Sequence, residues 1–129
     1  MRYYSLFLIS LGLLSCQKDS PTLEPLPRYE ITLVYMVADN DLAPYALKDL
    51  NEIERGFVPN GRDKLLLYID SNTSTALPSH PVLLEIVPDT TEVIRSKIIA
   101  SYPEQNSTDK TVMSNVLRDA LSYYKGDNR

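Results

Sequence analysis

Asp39, Asn40 and Asp41 stand together directly after one apolar run, and Asp70 closes a second. Oxygen side chains grouped at strand ends suit two tasks. They can border a cleft that takes a substrate, or hold a hard cation such as calcium, which accepts oxygen ligands. They also have a local use. Asp and Asn at a helix start accept hydrogen bonds from its free N–H groups, and an Asp after a strand suits a turn. Capping accounts for Asp39, Asn40 and Asp41, and a turn accounts for Asp70, so the local use is the preferred reading.

Nucleophilic chemistry has few candidates. The chain has one His, His80, and one Cys, Cys16. A cysteine nucleophile needs a general base within hydrogen-bond reach. His80 sits in Ser79-His80-Pro81 and reads as a solvent-facing loop residue. A single Cys excludes an intrachain disulfide and a multi-Cys metal site, and one His without Cys partners argues against zinc. With four Gly in 129 residues there is no Gly-rich phosphate loop. The net charge is -4 and the Lys and Arg residues are scattered, so no nucleic-acid partner is expected.

Cys16 has a different use. Arg2 precedes an apolar run at residues 6–14, too short for a membrane span but suited to a signal-peptide core. The run ends in Leu13-Leu14-Ser15-Cys16, which resembles the lipobox of bacterial lipoproteins. That resemblance implies cleavage before Cys16, lipid modification of its thiol, and a membrane anchor in the bacterial cell envelope. Two or more acyl chains give stable anchoring, and an acylated thiol is no nucleophile. Gln17-Lys18-Asp19 resembles the charged signals that send some lipoproteins to the cell surface. Pro21, Pro25 and Pro27 then mark an extended tether. The expected division is 1–15 signal peptide, 16–29 tether after the lipidated Cys16, and 30–129 an α/β domain.

Between Ile31 and Ala38 only Thr32 is polar, the pattern of a strand covered on both faces of a parallel sheet. Leu42, Ala46, Leu50, Ile53 and Phe57 recur at helical spacing, with Pro44 in the first turn and Gly56 as a left-handed stop. Pro59-Asn60-Gly61 is a turn, and residues 64–70 form a second strand, completing a βαβ unit. Residues 71–81 read as a polar loop. Residues 82–87 and 93–99 read as a hairpin joined through Pro88-Asp89-Thr90-Thr91. Ser107, Thr108 or Asp109 can cap a last helix whose apolar positions are Val112, Val116, Ala120, Leu121 and Tyr124, with Gly126 as its stop. Lys48, Asp49, Glu52, Glu54 and Arg55 read as a solvated charged face with a Lys48–Glu52 pair. The nine Tyr residues read as packing residues. Asn72-Thr73-Ser74 and Asn106-Ser107-Thr108 match the Asn-glycosylation pattern by coincidence in a chain of this kind. Asp89-Thr90-Thr91 resembles an O-glycosylation site of some Bacteroidetes surface proteins.

The strand ITLVYMVADNDL followed by LKDLNEIE resembles the start of the catalytic domain in the clostripain family of cysteine peptidases. The strand ending in Asp70, the hairpin and the Asn106-Ser107-Thr108-Asp109 turn before the last helix follow the family's order. The resemblance implies a partial caspase-like, three-layer α/β domain with an incomplete sheet. It implies a full-length enzyme that cleaves protein or peptide substrates after Arg or Lys with a His–Cys dyad, calcium being required by some members. No position here matches the dyad, so no catalytic, cofactor-binding or metal residue is assigned, and this chain is expected to be inactive. The alternatives are a non-enzymatic surface lipoprotein that binds a protein or peptide, and a decoy that binds peptides without cutting them. Without a further strand, residues 31–38 are expected to form an unpaired apolar edge prone to self-association.

Overall fold

A computed structural model describes residues 30–61, 63–72 and 76–127. The expected signal peptide, Cys16 and the tether lie outside the described residues, as does part of Asn72-Thr73-Ser74. The elements run β1 (Ile31–Ala38), α1 (Ala43–Gly56), β2 (Lys64–Ser71), β3 (Val82–Glu85), β4 (Lys97–Ser101) and α2 (Lys110–Asp127). They build one four-stranded sheet in the order β1-β2-β3-β4. β1 and β2 are parallel, as their connection through α1 requires, and β2–β3 and β3–β4 are antiparallel.

Alternation along the strands divides the core between two faces. Leu67 and Ile69 pack with Val82, Leu84, Ala46 and Leu50 on the α1 side. Leu66 and Tyr68 pack with Leu83, Val116 and Ala120 on the α2 side. One helix layer on each face gives the three-layer α/β arrangement. Leu50 and Leu67 are fully buried, each such side chain contributing about 1.5–3 kcal/mol. β2 is covered on both faces as its apolar run requires. β1 is not: it is an edge strand, and most of its residues are only partly buried.

Several local expectations are corrected. α1 has no side-chain cap; its N-cap is Leu42, which is exposed rather than part of the buried stripe. Asn40 Oδ1 instead accepts from the Leu42 N–H at 2.8 Å, shaping the turn before the helix. Gly56 is not left-handed; α1 ends into extended Phe57, and the positive φ of 64° falls on Gly61 in the Pro59-Asn60-Gly61 turn. α2 runs on through Gly126 to Asp127, and Leu121 is exposed. Among the three possible caps of α2, Asp109 takes the role, accepting from the Thr111 N–H at 2.6 Å.

The hairpin forms, but its strands are shorter and shifted, with a register irregularity between Leu83 and Leu84. Glu54 lies beside the segment left out of the ladder; it is 1% exposed and not on a solvated face. Its Oε1 accepts from the Arg95 and Ser96 N–H groups at 2.9 and 2.6 Å, and its carbonyl accepts from Asp89 N–H at 3.2 Å. Residues 89–96 are thereby held against α1 instead of extending the ladder. The Lys48–Glu52 pair is present at 3.6 Å on the exposed side of α1. At the far end of β3, burial works against the Glu85 charge. Hydrogen bonds from Lys64 at 2.5 Å and Tyr123 at 2.6 Å outweigh it and hold the carboxyl below its ordinary range.

Candidate functional site at the strand ends

The parallel pairing sets Val37 beside Asp70 and Ala38 beside Ser71, so the chain leaves both strands at one edge of the sheet. Asp39 follows β1 there, and the loop after β4 brings in Glu104. Carboxylate oxygens of Asp39, Asp70 and Glu104 all lie within 4.8 Å of one another. Asp39 and Glu104 are exposed, whereas Asp70 is 3% exposed. Asn40 and Asp41 are exposed and stand outside this group. His80 is half-buried in the loop between β2 and β3, not fully solvent-facing.

Asp70 is held from below by a hydroxyl relay. Ser107 Oγ donates to Asp70 Oδ2 at 2.5 Å, and the Tyr68 hydroxyl is 2.6 Å from Ser107 Oγ. The Tyr35 hydroxyl donates to the Ser107 carbonyl at 2.9 Å. The rings that carry these groups are packed together: Tyr35 stacks on Tyr68 with centroids 4.4 Å apart, and Tyr102 meets Tyr68 edge-on at 5.6 Å. Burial, with Tyr68 alongside, pushes the Tyr35 phenol up to about 12. Burial and the nearby Asp119, which accepts from the Tyr102 hydroxyl at 3.1 Å, raise Tyr102 well above its ordinary value.

This edge concentrates negative charge on a rigid base. The three carboxylates are hard oxygen donors and fit a cation such as calcium in kind, supplying part of the six to eight oxygens it takes. They suit a cationic side chain equally. The turn reading of Asp70 is incomplete, because its side chain points into the fold and ties down the 102–109 loop. Glu104 was not singled out by sequence, since nothing in Tyr102-Pro103-Glu104-Gln105 distinguishes it. Ser107 was visible only as a possible cap. An open pocket of ≈ 320 Å³ lined by Phe57, Pro59, Asp63, Lys64, Glu85 and Ile86 lies at the opposite end of the sheet, away from these groups. Among the described residues no helix is long and apolar enough to cross a membrane.

The sequence profile of the clostripain family matches residues 34–129. A B. fragilis cysteine protease of known structure is 36% identical with a TM-score of 0.60, the match covering 75% of this chain and 78% of that one. A secreted C11 cysteine protease from Bacteroides thetaiotaomicron, solved with an irreversible peptide inhibitor, is 35% identical with a TM-score of 0.60. That match covers 76% of this chain and 26% of the other, so the chain spans about a quarter of that protease. A further structure of a B. thetaiotaomicron C11 protease, at 15% identity and a TM-score of 0.51, shares the fold. No curated protein matches the chain. Strand order, the two helix layers and these matches agree: the chain carries an N-terminal portion of a caspase-like peptidase domain and belongs to the clostripain family.

Proposed function

We propose that this chain is the N-terminal part of a secreted, lipid-anchored cysteine peptidase that cleaves peptides after Arg or Lys when the domain is complete, and that the chain alone is inactive. The observation that carries the reading is the family match across residues 34–129, a unit in which β1 is an edge strand among the described residues. Inactivity is supported by the inventory of groups. The one Cys is Cys16, ahead of the domain, and the one His is His80, on the loop between β2 and β3. A thiolate nucleophile and its base need to meet within about 3 Å. Lipid attachment is supported by the Leu13-Leu14-Ser15-Cys16 box alone.

The test has two arms. The purified 129-residue chain should leave Arg- and Lys-containing fluorogenic peptides uncut; turnover above the blank would overturn the inactive reading. Expressed in a bacterium fed a labelled fatty acid, the chain should take up label at Cys16 and lose it in Cys16→Ala. Uptake that survives Cys16→Ala would overturn the anchor.

A further inference from the structure

We propose that the groove at the sheet end where β1 and β2 begin and β3 finishes is the seat of this chain's own Pro-rich segment. Residues 23–29 lie in it as a polyproline II helix, so the expected tether is docked on the domain instead of hanging free.

The groove is made of two openings of ≈ 320 Å³ each that share Phe57, Asp63 and Leu65. The first takes in Glu30 and Val58, which is 82% exposed. The second runs on to Val87, 40% exposed, and Pro88. The chain enters the domain at the mouth of the first. The Glu30 N–H donates to Asp63 Oδ1 at 3.0 Å, and the Glu30 carbonyl accepts from the Lys64 N–H at 3.0 Å. Residues ahead of Glu30 therefore start from a point fixed on the groove's rim. Docking from there is intramolecular, at an effective concentration of about the mM range, so contacts too weak to hold a separate peptide suffice.

The segment fits in spacing and charge. Pro25 and Pro27 favour polyproline II at their own positions and extended backbone at Glu24 and Leu26 before them. With three residues per turn, Leu23, Leu26 and Tyr29 share one face, and Glu24 and Arg28 lie off it. One turn rises about 9 Å. β1 and β3 are two strand spacings, about 10 Å, apart. Tyr29 thus meets the first opening beside Glu30, Leu26 meets the second, and Leu23 reaches the Val87 rim. Polyproline II segments dock in grooves walled by aromatic side chains, as Phe57 provides here. Arg28 falls beside the carboxylates of Glu30 and Asp63.

The groove is at the opposite end of the sheet from Asp39, Asp70 and Glu104. With residues 23–29 seated, residues 16–22 remain as the leash, at most about 25 Å long. On the lipid-anchor reading above, the domain is then held close to the bilayer with its strand-end carboxylates turned away from it. The docking itself does not rest on that reading.

The test uses the 129-residue chain with Cys16→Ala, so that the fate of the anchor does not enter it. Leu26→Cys and Val87→Cys are added as its two thiols, and disulfide formation under mild oxidation is followed by mass and gel mobility. The expected result is a bond within one chain. Leu23→Ser with Tyr29→Ser strips the apolar face on both sides of residue 26 and keeps the tether's length. It should slow formation of the bond about tenfold or more. Both positions precede β1, so the helix signal should be unchanged. Equal rates with and without these substitutions would show mere proximity of a free tether and overturn the proposal. So would a disulfide formed only between two chains, or none in the folded protein.

Discussion

Ser107 Oγ donates to the buried Oδ2 of Asp70 at 2.5 Å while lying 2.6 Å from the Tyr68 hydroxyl. With the serine proton directed at the carboxylate, the tyrosine proton is directed at the serine, and the chain of donors runs Tyr68, Ser107, Asp70. One loop residue thus joins the middle of β2 to its end. The relay fixes the carboxylate at the strand edge and clamps the 102–109 loop that supplies Glu104.

Removing the middle of this relay takes a hydrogen-bond partner from each end. Ser107→Ala should cost about 1–3 kcal/mol, because a buried hydroxyl and a buried carboxylate each lose a hydrogen bond. Asp70→Asn should cost less, since its amide oxygen can still accept from Ser107. Urea unfolding of the three proteins decides it. A cost for Ser107→Ala below that of Asp70→Asn would show that the relay does not stabilise the fold.

Glu54 makes a second long-range tie. Glu54→Ala would strand the Arg95 and Ser96 N–H groups against α1 and open a small void beneath them. Amide exchange across residues 89–96 should speed up strongly, and stability should fall by about 2–3 kcal/mol. Glu54→Gln keeps the accepting oxygen and should hold the loop nearly as well. Equal exchange in Glu54→Ala and the parent chain would mean that the loop is held by something else.

Both ties explain what was and was not legible in the chain. β1 and β2 were readable to within a residue, because an uninterrupted apolar run bounded by polar residues has few other uses. Glu54 was misplaced because residue type and position disagreed. It lies four residues after Leu50 on the buried line of α1, yet a glutamate beside Glu52 and Arg55 reads as solvated. The helix start was misread because Asp39 belongs to the carboxylate cluster and Asn40 closes a turn two residues ahead of the N-cap, Leu42. Glu104 could not be found at all, since its place beside Asp39 and Asp70 depends on where β4 delivers the chain. The edge position of β1 was foreseeable only through the family resemblance; its composition alone argued for cover on both faces.

The stacked tyrosines predict an alkaline limit to stability. Tyr35 is pushed up to about 12 and Tyr102 further, mainly by burial, against about 10 in an unfolded chain. The folded state therefore holds these protons more tightly than the unfolded one. Their contribution is fully present below pH 10 and is lost as pH rises through the folded values. Stability should be level from neutral pH to about pH 9 and then decline, with part of the phenolate absorbance appearing together with unfolding. Tyr102→Phe should shift the decline to higher pH. Full ionisation of all nine tyrosines near pH 10 with the fold intact would contradict this.

The last prediction concerns the open edge in the absence of a partner. Among the described residues β1 pairs with β2 alone, so the backbone groups on its other side lie at a sheet edge, and Val37 is exposed near its end. Such an edge is a template for non-native strand pairing, and natural sheets blunt it with a charged side chain. Val37 is also the residue set beside Asp70, so a cation there would face an acidic neighbourhood and be tolerated electrostatically. Val37→Lys should thus reduce concentration-dependent turbidity of the isolated chain while changing its unfolding free energy by no more than about 0.5 kcal/mol. Thr32→Pro is the contrast. The Glu30 carbonyl accepts from the Lys64 N–H and backbone direction alternates along β1, so the Thr32 N–H points toward β2. Losing it should cost stability rather than relieve association. Light scattering across a concentration series, beside urea unfolding, reads both variants. Turbidity unchanged in Val37→Lys would show that association does not run through this edge.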